Sequence, residues 1–486
     1  MNGCESRLSR AGRKRTACLP RRRCTSGPRG FDDDVKFAFC LQFSLGGLRL
    51  AVLTVHRRAF FAPTVRWRNP VVYASIVLVS ALLSLARLPA PAIGTLWAED
   101  GGIFINDVLK DAGLRGIFAP YQGYLHVVPR GVAWLVVRLL PVDAWAIAVT
   151  VAACLIVGGV AALVFHCSSV LSRNVWVRLG FAAVPVLVAA SPEEALGNLA
   201  NLHWYFLYLA PWLLLKRPRT WVEGAVLTVA ALLVGLTEIQ AAVFVPLFAY
   251  RLRDARLWGP RLALLAGVGA QVFTTLTYPR DNPVAPPVNW LSVVYGWFVD
   301  GPSAVMFGTA GQISRVVVRF GWVPVALAAA LFLAASAVIL VRGRIREKVA
   351  AGAFLGGSVV IACAAVALNF RPFLDYAAFD DASWNALHLG RYAVAPSMFL
   401  LALLPLLGEV LGGSARPALL GILAVLMVVY FFPVAVGREF GPIWTDHLEQ
   451  ARAACRTPGA EPEQIVPIAP TGWPIKGVKV PCRILD

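Results

Sequence analysis

Long apolar runs broken by short polar stretches set the pattern of this chain. The runs fall at about 71–88, 143–170, 179–190, 201–215, 221–236, 239–250, 260–277, 319–341, 349–368, 392–411 and 417–436. Several approach or exceed the roughly 18–20 apolar residues that cross a bilayer as a helix. The pattern predicts an all-α polytopic membrane protein with about eleven transmembrane helices. The stretch 221–250 has two readings. One long helix would bury Glu238 and Gln240 at mid-depth, which is costly, and would put the basic clusters at 216–219 and 251–256 on opposite sides. A hairpin turning at Thr237-Glu238 removes both problems and is the preferred reading, although its second arm is short.

Three segments between the runs are too long to be simple connectors: 89–142, 278–318 and 369–391. In the first, Phe104, Ile105, Val108, Leu109 and Ala112 alternate in pairs with Asn106, Asp107, Lys110 and Asp111. That spacing predicts an amphipathic helix lying along the membrane surface, and a second is predicted from Arg130 to Leu140. The segment 278–318 carries Trp290, Tyr295, Trp297 and Phe298, as an interfacial aromatic belt would.

Charge gives the pattern a direction. Arg173 and Arg178, Lys216 to Arg219, Arg251 to Arg261, Arg342 to Lys348, and Arg416 fall on one side of the predicted crossings. Glu99-Asp100, Glu193-Glu194 and Asp380-Asp381 fall on the other. The positive-inside rule then puts the N-terminus in the cytoplasm and the C-terminus outside. Three parts follow: a basic cytoplasmic arm at 1–70, a transmembrane domain at 71–436 whose first outer loop is 89–142, and an extracytoplasmic tail at 437–486.

Composition narrows the class. Hydrophobic residues make up 58% of the chain and charged residues 15%, against about 25% charged in soluble domains. A soluble enzyme, a nucleic-acid-binding protein and a disordered chain are excluded as readings of the whole. The net charge is +18, of which residues 1–70 supply +11. Such an arm suits an anionic lipid surface; no nucleic-acid partner is expected. With 38 Arg against 7 Lys and abundant Ala, Val and Leu, the chain reads as the product of a GC-rich bacterial genome, placed in the plasma membrane. The arm is expected to be dispensable, an over-long start with Val52 or Val65 as alternatives.

Cys455 and Cys482 in the tail are expected to pair outside the membrane, worth about 3 kcal/mol for a loop of that size. Cys4, Cys18, Cys24 and Cys40 lack the paired spacing of a zinc site, and Cys154, Cys167 and Cys363 read as packing residues. No glycine-rich nucleotide loop or nucleophile elbow occurs in the sequence.

The chemistry-bearing residues cluster after the first span. Trp97-Ala98-Glu99-Asp100 is followed by the amphipathic stretch and then by Tyr124-Leu125-His126-Val127-Val128-Pro129-Arg130. With its acidic pair, amphipathic helices and Pro-containing turn, the chain resembles the GT-C superfamily of polytopic membrane glycosyltransferases, of the actinobacterial type. Glu99-Asp100 stands in the reverse order to several relatives, and a single Pro129 stands where some have two. Which carboxylate is the base stays open.

The resemblance implies an inverting transfer on the outer face, from a polyprenyl-phosphate sugar to a glycan or lipid acceptor of the cell envelope. The transition state is oxocarbenium-like, the acceptor hydroxyl needs a carboxylate base within reach, and the departing phosphate needs cations, for which arginine is suited. Arg391, in Gly390-Arg391-Tyr392, is the first candidate, with Arg130, Arg280 and Arg371 behind it. His126 is read as orienting a carboxylate or touching phosphate, with Tyr124 beside it. Asn198, Asn201 and His203 are read as contacts to sugar hydroxyls, with Trp204 or Tyr205 stacking, and Glu194 is placed among the substrate- or donor-binding residues. Asp380-Asp381 with His388 lacks diagnostic metal spacing, so no metal site is assigned and a divalent metal has no support. The alternative is a polytopic transporter or lipid/glycan flippase, which would favour inverted repeats and ionisable groups at mid-depth. A third reading is a non-catalytic partner that works through its tail.

Overall fold

In the computed structural model, residues 70–111, 113–280 and 286–485 are described. The basic arm, with its four cysteines and the alternative starts, lies outside the described residues.

Every predicted apolar run contains a helix. The main elements are α1 (Pro70–Ala86), α2 (Val127–Leu139), α3 (Trp145–Cys167), α4 (Val175–Leu187), α5 (Leu202–Leu215), α6 (Trp221–Gly235), α7 (Trp258–Thr277), α8 (Trp290–Phe298), α9 (Ala310–Phe320), α10 (Val323–Arg342), α11 (Ile345–Leu368), α12 (Val394–Leu411), α13 (Ala415–Val429) and α14 (Trp444–Cys455). Among the described residues, five helical stretches are long and apolar enough to cross a membrane: Val142–Val170, Val175–Glu194, Val323–Arg342, Ile345–Leu368 and Gly390–Leu411. Several further apolar helices are shorter, α1, α5, α6 and α13 among them. This is a helical, membrane-embedded chain.

Local signals start several of these helices. Asn174 accepts the N–H groups of Trp176 and Val177 at the head of α4, and Thr220 accepts that of Glu223 at the head of α6. Such caps satisfy amides that have no partner within the helix. α6 lies close against α7 because two glycines meet there: a Cβ on Gly235 would stand 2.9 Å from the Leu264 carbonyl.

Helix α6 stops at Gly235, and Thr237-Glu238 form the tip of a turn. The return arm, Ile239–Ala249, is a 3-10 helix of 11 residues, spanning about 2.0 Å per residue. The tip is tied to the start of α2, where Val128 N–H donates to Thr237 Oγ1 at 3.3 Å. The 221–250 stretch is thus a broken pair and not one helix.

The two ends of the helical array differ in character. At one end Tyr73, His166, Glu223 and Lys216 join: His166 bonds Tyr73 at 2.9 Å and Glu223 at 2.8 Å, and Lys216 lies 3.3 Å from Glu223. These residues sit at the start of α1, the end of α3, the start of α6 and just after α5. At the other end Glu99, Glu194, His203, Glu238 and Arg391 gather.

The first long segment departs from its prediction. Instead of one amphipathic helix, a π-helical turn, Asp100–Ile105, leads into a short α-helix, Asn106–Lys110. Its polar residue Asn106 is buried, because its amide donates to Gly477 O at 3.0 Å and accepts Lys479 N–H at 2.8 Å. The second amphipathic helix forms as α2, with Arg130, Ala133 and Val136 buried and Leu135 and Leu139 exposed. In the aromatic segment Trp290 is exposed, but Trp297 is buried and donates to Ser358 Oγ. Only part of that segment can face an interface.

The tail is folded onto the first segment. Strands β1 (Glu463–Pro467) and β2 (Gly477–Pro481) pair antiparallel, and α14 is tied to the end of β2 by the Cys455–Cys482 disulfide. Trp444 donates its backbone N–H to Gly94 O and its indole N–H to Val142 O. Arg452 forks onto Asp143, with two bonds of 2.8 Å.

Candidate functional site

Three segments far apart in sequence supply the cluster at the acidic end. Glu99 follows the first span, Glu194 closes the turn after α4, and Arg391 precedes α12. Arg391 Nη1 lies 3.2 Å from Glu194 Oε1 and 4.0 Å from Glu99 Oε1. Its backbone N–H also donates to Glu194 Oε2 at 2.9 Å. Gly390 permits this approach: its φ is +54°, and a Cβ there would stand 2.8 Å from Glu194 Oε2. The second oxygen of Glu99, Oε2, is buried without a hydrogen-bond partner. The cluster reaches solvent through Arg391, whose side chain is 26% exposed, and through His388, 65% exposed.

Asp100 has a different place. It is fully buried, and its two oxygens accept the N–H groups of Leu199 (2.9 Å) and Ala200 (2.8 Å). Burial pushes its pKa up to about 7, while those two bonds and Arg438 oppose the rise. Arg438 is itself buried, donating to the carbonyls of Thr95 and Leu196 and to Thr150 Oγ1. Asp100 and Arg438 together hold the 194–201 turn against the first segment.

The turn at 121–124 brings aromatic rings around His126. Its ring centroid lies 4.6 Å from that of Tyr124 and 5.5 Å from that of Phe104. The ring is buried, with the Tyr121 backbone as its hydrogen-bonding neighbour. Burial, then the neighbouring His203 and Arg130, push its pKa down to about 3, so His126 is neutral and offers phosphate no charge. Burial likewise pushes Tyr124 up to about 12. The backbone of Leu125 is clamped at both its N–H and C=O by Gln271 of α7.

Other residues read as binding groups are committed locally. Arg130 is buried, 2.9 Å from Asp107 and over the Phe104 ring, which removes it from the phosphate candidates. Arg280 bonds Asn369, and Arg371 bonds the Phe370 carbonyl. Asn198 and Asn201 bond each other and the Glu194 carbonyl, and Trp204 donates to Asn201. These amides build the turn rather than present themselves to a ligand. His203 pairs with Glu238, and its ring sits 4.4 Å from that of Trp204. Trp204 meets Tyr392 edge-on at 6.1 Å. Asp380 caps the short helix that follows it, whereas His388 bonds Glu193 at 2.7 Å, which raises the imidazole pKa. Asp380 and His388 are thus spent separately, and no group of three His, Cys, Asp or Glu placed to hold a metal ion occurs among the described residues.

Sequence reasoning missed Arg438, Gln271 and the role of Glu238. Gln271 and Glu238 had a signal, as polar residues inside or between apolar runs; Arg438 was one of several basic residues on its side.

The fold and this cluster define a class: a helical membrane protein with a carboxylate–arginine site at one end of its helices. No protein-family model, curated protein or solved structure matches the chain.

Proposed function

We propose that this chain is an integral membrane glycosyltransferase of the GT-C kind, moving a sugar from a polyprenyl-phosphate donor to a cell-envelope acceptor with inversion. The observation that carries the reading is the meeting of Glu99, Glu194 and Arg391 from three separate segments. In this reading Glu99 is the base, because its Oε2 has no hydrogen-bond partner. Asp100, with both oxygens occupied, positions the turn that carries Glu194. Arg391 meets the departing phosphate, and Glu194 aims it. Eleven crossings, a cytoplasmic N-terminus and an outer C-terminus complete the proposal, with the carboxylates on the outer face.

The test is sugar transfer in membranes supplied with polyprenyl-phosphate pentoses and hexoses, comparing the parent with Glu99→Gln. The variant should accumulate normally and lose transfer by about 10²–10⁴-fold, the usual contribution of a general base. Transfer at the parental rate would sink the proposal.

The transporter reading draws on Asp300, which is fully buried with Tyr376 as its side-chain partner. It requires that Asp300→Asn leave a lipid-linked sugar stranded on the cytoplasmic side while Glu99→Gln does not.

A further inference from the structure

A cleft of about 680 Å³ opens between the first long segment, α2 and the tail, and shares no lining residue with the Glu99–Glu194–Arg391 cluster. Four arginines line it, Arg138, Arg452, Arg456 and Arg483, against one acid, Asp143. Arg452 already holds Asp143 through two bonds, so the carboxylate is taken up within the wall. Arg456 and Arg483 are exposed, and each directly follows one half of the Cys455–Cys482 disulfide. The covalent bond therefore brings two cations from distant parts of the tail into one cleft. Their mutual repulsion is relieved by an anion, and the planar guanidinium suits phosphate oxygens.

Part of its wall is apolar, built from Val108, Leu109, Val137 and Leu140. A soluble phosphate has no use for such a wall, whereas a lipid brings a charged head and an apolar body together. We infer that this cleft binds the phosphate-bearing headgroup of an anionic membrane lipid, with its glycerol and upper chain region against α2. The inference does not depend on the transfer chemistry proposed above.

Full-length protein in detergent, titrated with phosphatidylglycerol or phosphatidylcholine and read by native mass spectrometry, tests it. The parent should retain the anionic lipid about tenfold better, and Arg456→Gln with Arg483→Gln should abolish that preference. A control pair outside the cleft, Arg251→Gln with Arg253→Gln, should keep it. The single variants Arg456→Gln and Arg483→Gln, each lowering the preference in part, cover the case in which the double variant misfolds. Equal retention of both lipids by the parent, or an equal loss in the control pair, overturns the inference. Displacement of phosphatidylglycerol by glycerol 3-phosphate at similar concentration also overturns it, because the ligand would then be a soluble phosphate.

Discussion

Glu99 and Asp100 are neighbours in the chain with opposite surroundings. Asp100 is closed in by the Leu199 and Ala200 amides, while one oxygen of Glu99 faces Arg391 and the other has no partner. Replacing Asp100 by Asn leaves one of those buried N–H groups unpaired, and should lower stability by about 1–3 kcal/mol. The effect should depend on pH. The folded pKa of Asp100, about 7, lies above its ordinary value of 3.8, so the folded state holds the proton more tightly. The contribution is full below about 4 and is lost as pH rises to about 7. The Tm difference between parent and Asp100→Asn in detergent should narrow from pH 5 to pH 8; a constant difference would contradict this. Arg391→Lys should cost transfer about tenfold or more while the protein accumulates, because an ammonium cannot reproduce the planar fork.

At the scale of elements, the ends of the helices matter more than their middles. The Gly390 turn delivers Arg391 to Glu194, and Gly390→Ala would face both a left-handed φ and the Glu194 carboxylate. A loss of about 1–2 kcal/mol from the backbone alone is expected, together with reduced transfer. A Tm and activity equal to the parent would show that the turn tolerates a side chain. The break in 221–250 was legible because charge and depth could not both be satisfied by a single helix. The π-helical turn at 100–105 was not legible: Phe104, Ile105 and Asn106 carry a helical spacing, but the burial of Asn106 depends on β2, more than 370 residues away.

For the molecule as a whole, the tail is part of the fold. It bonds Gly94, Asn106, Val142 and Asp143, and the chain just ahead of α14 sends Arg438 to the carbonyls of Thr95 and Leu196. Cys455→Ser with Cys482→Ser should lower stability by about 3 kcal/mol, read as a lower Tm without reductant, and reductant should bring the parent down to the same value. An unchanged Tm would mean that the docked surfaces suffice without the bond.

Much of the helical layout was already written in the order of residues, because lipid solvent demands long apolar runs and leaves charge only at their ends. The acidic pair, Glu194 and Arg391 were visible for the same reason, as charges beside apolar runs. Which of them meet was decided in three dimensions. Asp100, Arg130, Asn198 and Asn201 looked as available as Glu99 and Arg391. They differ because other groups reach them first, the distant Leu199 and Ala200 amides for Asp100 and nearer carbonyls, amides and a carboxylate for the rest, and burial without a partner is costly.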